Sequence, residues 1–219
     1  MDTPTSSSTS IDLVITPTPT PTPTPVCFAY PDSYVRNGGF ERGTPGWTYS
    51  QTPSAGPWNF TDVSATGVYC YYGSEHSGDC ELSGKTQTGS TGRSDGTMSL
   101  KQTDIHVASG TQVQVTGWVR PTRGPKNSNT APYTFTLMFD STVVATYTPN
   151  FQSSSTSPYV QLTNTVTVSG DGPHTLSLLI RTKGTANTFI YDADDFSVTV
   201  VKAPGNQQLC DSSTGPLSN

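Results

Sequence analysis

The sequence predicts an all-β sandwich of two antiparallel sheets. Three observations carry that expectation. Short segments alternate apolar and polar residues with a period of two, as half-buried strands do. Gly, Pro, Asn and Asp turns separate them at short intervals. No segment of ten or more residues repeats with the 3.6-residue period of a helix. Composition agrees: only 12% of the 219 residues are charged and 32% are hydrophobic. A charged disordered chain reads differently, and the length suits one domain of roughly 180 residues plus a tail.

The elements follow in order. Residues 1–26 read as a disordered Ser/Thr/Pro-rich linker, centred on TPTPTPTPTP at 16–25. Alternating proline blocks helix and sheet pairing and favours extended polyproline II, spanning roughly 30 Å. The sandwich is expected over 27–210, with a flexible C-terminal tail over 211–219. In TQVQVTGWVR (111–120), Val113, Val115, Gly117 and Val119 share one face; Gln112, Gln114, Thr116 and Trp118 take the other. YTFTLMF (133–139) aligns Tyr133, Phe135, Leu137 and Phe139, and STVVATYT follows a turn at Asp140 and Ser141. VQLTNTVTV (160–168) aligns Val160, Leu162, Val166 and Val168. HTLSLLIR (174–181) follows the turn GDGP and aligns Leu176, Leu178 and Ile180. The last strand, FIYDADDFSVTVV (189–201), holds three carboxylates. Strict alternation puts Ile190, Asp192, Asp194, Phe196, Val198 and Val200 on one face, pointing to the core. Asp194 would then enter the core edge beside Phe196, where an unpaired carboxylate costs several kcal/mol. About eight to ten strands are expected in all.

Charge and length exclude several partners. The net charge is -5 and no basic cluster occurs, so nucleic acid and anionic membrane are not expected partners. No apolar run reaches the 18 or so residues of a membrane-spanning helix. The opening MDTPTSSSTS has no basic region and no long apolar segment, so no secretory signal is read in the chain as written. The cysteines nevertheless suggest a secreted protein. There are four, without CxxC spacing or a histidine at zinc-ligand spacing. Of three possible pairings, Cys70 with Cys80 and Cys27 with Cys210 are favoured; the alternative is four buried thiols. The first pair closes a short loop. The second ties together the two ends of the domain. The one sequon, Asn59-Phe60-Thr61, makes Asn59 a glycosylation candidate.

Catalytic signatures are missing. The sequence has no GxSxG elbow, HExxH, Walker loop or kinase set. His76, His106 and His174 are scattered and read as surface residues. Glycosidases need two carboxylates facing a cleft. Asp192, Asp194 and Asp195 are too close in sequence to flank a sugar bond, and Glu75, Asp79 and Glu81 have no evident partner. The chain is therefore expected not to be an enzyme. Aromatic residues point instead to sugar binding, because a ring stacks on the apolar face of a pyranose while neighbouring polar groups read its hydroxyls. Trp118, beside Gln112, Gln114 and Thr116, is one candidate. Trp47 and Trp58 flank the turn-rich QTPSAGP, and Tyr72 lies next to Cys70. The competing reading for each is a core residue.

YVRNGGFERGTPGWTY (34–49) resembles the opening of carbohydrate-binding modules of the cenC type, families 4, 9, 16 and 22 of the galactose-binding-like β-sandwiches. Asn37, Gly39, Phe40, Glu41 and Trp47 match its "N-x-G-F-E … W"; Asp194, Asp195, Phe196, Ser197 and Val198 match its closing "DD-V/F-S-V". SEHSGDCEL (74–82) and VQVTGWVRP (113–121) resemble its intervening segments, so the likeness runs from about Tyr34 to Val201. Pro/Thr-rich linkers also occur in secreted fungal members. The resemblance implies a jelly-roll sandwich that binds polysaccharide. It also implies a structural calcium ion held by Glu41 and Asp194, with Asp192 as a third candidate ligand. Backbone N–H groups, Arg36 or Arg42 are the metal-free alternatives for Asp194. The function expected is thus a monomeric, secreted, non-catalytic module binding a cell-wall glucan or xylan. The competing readings are a structural or adhesive surface domain, and the appended module of a glycoside hydrolase.

Overall fold

A computed structural model describes residues 27–52, 58–59, 68–70, 75–86, 96–123, 133–149, 157–182 and 190–210. The expected linker over 1–26 and tail over 211–219 lie outside the described residues. Within them the chain is all β, in two antiparallel sheets. The first holds β1 (Thr48–Thr52), β5 (Gly96–His106), β10 (Pro173–Thr182), β7 (Tyr133–Phe139) and β8 (Thr142–Tyr147), in that order. The second holds β2 (Trp58–Asn59), β4 (Glu81–Thr86), β11 (Ile190–Lys202), β6 (Gln112–Arg123) and β9 (Val160–Thr167), with β3 (Val68–Tyr69) also paired to β4. From β4 to β7 and again from β8 to β11, consecutive strands alternate between sheets, as in a jelly roll. Eleven strands are described, slightly more than the sequence suggested; three short ones at the sheet margins lack a clear alternating pattern.

The core fills the space between the sheets. Met98 and Leu100 of β5, Phe135, Leu137 and Phe139 of β7, and Leu176, Leu178 and Ile180 of β10 line one side. Leu82, Val113, Val115, Val119 and Val198 line the other. The period-two patterns of β6, β7 and β10 therefore act as expected. Gly117 falls on the inner face of β6 because Phe196 lies across it: a Cβ there would stand 2.6 Å from the ring. The Asp140–Ser141 turn joins β7 to β8, with Asp140 at φ 52°.

The last strand departs from strict alternation. Its pairing with β6 matches Asp194 to Trp118 but Ser197 to Thr116, so β11 carries one extra residue. Asp195, at φ 49°, lies within that bulge. One inserted residue reverses which face each side chain takes. Phe196, Val198 and Val200 point inward as expected. Asp192 and Asp194 do not share their face: they lie on the outer face opposite Arg120 and Trp118, and Tyr191 and Ala193 occupy the core instead. The expectation that Asp194 enters the core beside Phe196 is thereby corrected.

The N-G-G-F-E segment knits the first residues of the domain to the last strand. Asn37 adopts φ 51° and its Nδ2 donates to the Gly43 carbonyl at 2.7 Å, while its Oδ1 accepts from Arg42 N at 3.1 Å. The Asn37 carbonyl accepts the Trp47 indole N–H at 3.1 Å. Phe40, fully buried, meets Trp47 and Phe196 at centroid distances of 5.4 and 6.0 Å. The two ends are joined by the Cys27–Cys210 disulfide and a parallel bridge between Phe28 and Leu209. Cys70 and Cys80 form the second disulfide. Both pairings are those favoured from the sequence.

Candidate functional site

The outer face of the six-stranded sheet carries the chemistry. Alternation puts Trp118 and Arg120 of β6 on this face, and the bulge brings Asp192 and Asp194 of β11 beside them. Glu81 joins them from β4, and Tyr159 from the residue before β9. Arg120 Nε donates to Asp192 Oδ2 at 3.0 Å. One terminal nitrogen donates to the same oxygen at 2.8 Å and to Glu81 Oε2 at 3.2 Å. The Tyr159 hydroxyl donates to Glu81 Oε2, and the guanidinium lies 4.5 Å from the centre of the Tyr159 ring. The Glu81, Asp192 and Arg120 side chains are only 2%, 3% and 11% exposed. Burial alone would lower the Arg120 pKa, but Asp192, Tyr159 and Glu81 together outweigh it and the net shift is upward. Burial, then the hydrogen bond to Glu81, pushes the Tyr159 phenol well above the ordinary tyrosine range. The group is thus a guanidinium held between two carboxylates, with a neutral phenol donating to one of them.

A loop from Glu75 to Cys80 closes over one side of this group. Its backbone is tied down by acids from both ends of the domain. Glu41 Oε1 accepts Asp79 N at 3.0 Å and Cys80 N at 3.2 Å. Gly78, at φ 68°, lets Glu41 come close; a Cβ there would meet Oε1 at 2.0 Å. Asp194 Oδ2 accepts His76 N at 3.1 Å and Ser77 N at 3.3 Å, and Oδ1 accepts Asp195 N at 2.8 Å. Those three amides answer the buried Asp194. Even so, burial and then the neighbouring Asp195 raise its carboxyl to about 7, against the downward pull of the N–H donors. His76 stacks on Trp118 with centroids 3.8 Å apart and planes 21° apart, and meets the Tyr159 ring edge-on at 5.2 Å. Its Nδ1 lies 2.6 Å from Asp195 Oδ2.

The structure thus brings together some of the residues singled out from sequence and not others. Trp118 is half-buried on the outer face, as its alternation indicated. Trp47 lies elsewhere, against Phe40 and Phe196 at the core margin, with its N–H already bonded. Tyr72 lies outside the described residues, as do the side chains of Trp58 and Asn59 in β2. Sequence reasoning did not single out His76 or Tyr159, or pair Glu81 with Arg120. One signal was present: Arg120 follows Trp118 by two residues and so shares its face. The loop residues had no comparable signal, because their neighbours come from β6 and β11.

Glu41 and Asp194 do converge on one loop, as the resemblance implied. Yet both carboxylates are met by backbone N–H donors, which compete with a cation for the same lone pairs. Neither guanidinium of Arg36 or Arg42 hydrogen-bonds Asp194. Among the described residues no group of three or more His, Cys, Asp or Glu side chains is placed to hold a metal ion. The structural calcium that the resemblance implies would need further oxygens, from backbone carbonyls or water, to reach the roughly six to eight that Ca²⁺ takes. Asp192, the third candidate, is engaged by Arg120 instead.

No family model matches this chain, and no curated protein matches it. Solved structures similar to it include TmCBM61 in complex with β-1,4-galactotriose, 13% identical, covering 77% of this chain and 98% of that one with a TM-score of 0.49. The CBM22-1 xylan-binding domain from Paenibacillus barcinonensis Xyn10C is 19% identical, covers 76% and 93%, and scores 0.41. The K3 cleaved adhesin domain of Lys-gingipain from Porphyromonas gingivalis is 16% identical, covers 75% and 98%, and scores 0.48. None of these transfers a ligand to this chain.

Proposed function

We propose that the chain is a non-catalytic carbohydrate-binding module of a secreted protein, with its polysaccharide lying on the outer face of the six-stranded sheet. One observation carries the reading. Half-buried rings of Trp118, His76 and Tyr159 gather on that face over the buried charge group of Arg120, Asp192 and Glu81. An aromatic cluster at a sheet surface is what the apolar face of a sugar packs on. Catalysis has no part in it. Glu81 and Asp192 hold the same guanidinium, so neither is poised as an acid or base. Calcium has no part in contacting the sugar. A cell-wall glucan or xylan is the substrate class, and the module acts as a monomer, alone or appended to a glycoside hydrolase. Two disulfides fit an oxidising, extracellular compartment.

A second reading, a structural or adhesive surface domain, has one observation in its favour. His76 already covers one face of Trp118. Affinity gel electrophoresis against β-glucans, xylan, mannan, galactan, chitin and cellulose separates the two. Retardation by at least one polymer, weakened at least tenfold in Trp118→Ala, is expected. No retardation by any polymer transfers the reading to the adhesive domain. Release of reducing sugar by the purified chain would refute the non-catalytic assignment.

A further inference from the structure

We infer that His76 is the hydrogen-bonding residue of this face: it presents Nε2 to a hydroxyl of an uncharged sugar. The inference rests on the carbohydrate-binding reading and narrows it to neutral glycans.

The ring is fixed from three directions. Trp118 lies parallel to one face, Tyr159 stands edge-on, and Asp195 Oδ2 sits 2.6 Å from Nδ1. Asp195 is itself held, since Ser77 Oγ donates to its Oδ1 at 2.8 Å. The backbone of His76 is anchored to Asp194. A carboxylate oxygen only accepts, so Nδ1 carries a proton in this contact and Nε2 is the ring nitrogen left for a ligand. Among the described residues Nε2 has no hydrogen-bond partner, while the side chain remains 27% exposed. A positioned ring nitrogen beside two aromatic rings on a sheet face is suited to a sugar hydroxyl, which both donates and accepts. Glu81, Asp192 and Asp195 outnumber Arg120 around it, which disfavours an acidic sugar.

The test uses the full chain. Nitrogen-15 NMR of the histidine ring in the unliganded protein at neutral pH should show a proton on Nδ1 of His76; a ring protonated at Nε2 alone overturns the inference whatever the binding result. Binding is then read by affinity electrophoresis with soluble xylan, β-glucan and galactan, and with polygalacturonate as the acidic polymer. His76→Phe keeps the stack on Trp118 and removes both nitrogens, so about 5- to 10-fold weaker binding is expected, with a lowering of the melting temperature that Asp195→Asn, which keeps Nε2, should share without the loss of binding. A wild-type chain that binds a neutral polymer and a His76→Phe variant that binds it equally well would overturn the inference and leave the module reading intact. Tightest binding to polygalacturonate would overturn the neutral class. No retardation of the wild type by any of the polymers would overturn the module reading and this inference with it.

Discussion

Arg120→Met tests the charge group at the centre of the outer face. The arginine makes three hydrogen bonds of 3.2 Å or less, two to Asp192 and one to Glu81, and all three side chains are nearly closed to water. Methionine matches the aliphatic stem but leaves two buried carboxylates facing each other without a cation. Removing one partner from a buried ionic group costs about 3–5 kcal/mol, because the remaining charges stay desolvated. For a domain of this size each kcal/mol lowers the melting temperature by about 2–4 °C, so a fall of roughly 6–20 °C is expected at neutral pH. Arg120→Lys should cost less: it keeps the charge but loses the planar fork that serves both carboxylates. The triple variant Arg120→Met, Asp192→Asn, Glu81→Gln removes all three charges and should recover much of the loss. Urea or thermal unfolding followed by circular dichroism measures each. A single Arg120→Met variant within about 1 kcal/mol of wild type, or a triple variant worse than the single, would refute the buried-charge argument.

Two further outcomes follow from the acidic loop contacts. Asp194 titrates at about 7 when folded, against 3.8 for an ordinary aspartate. Between those values the folded chain holds a proton that the unfolded chain has lost, so this group's contribution is full below 3.8 and vanishes as pH rises through 7. The urea midpoint should therefore fall from pH 5 to pH 8 in wild type relative to Asp194→Asn, whose amide oxygen still accepts from His76 and Ser77; a rise relative to that variant would contradict the assignment. Excess EDTA tests the structural calcium that the family resemblance implies at Glu41 and Asp194: a lower melting temperature, restored by Ca²⁺, is expected of such a site. An unchanged melting curve would leave the backbone amides as the partners of these two carboxylates.

Much of the architecture was legible in the residues themselves. Alternation in β6, β7 and β10 identified the inward residues, because one face of each strand is buried and the other is not. The cysteine spacing indicated both disulfides, and Trp118 could be placed on the outer face from its neighbours in the strand. Other features depended on the assembled sheets. The bulge at Asp195 shifts β11 by one residue, and no local pattern marks it; it becomes visible only through pairing with β6. That shift turns Asp192 and Asp194 outward and makes the charge group and the loop anchor possible. His76, Tyr159 and Arg120 lie on three separate segments, and Asp195 on a fourth. Side-chain periodicity is a short-range property that each strand carries in its own residues. Register and loop docking are contacts between distant segments, decided only when the two sheets close on the core.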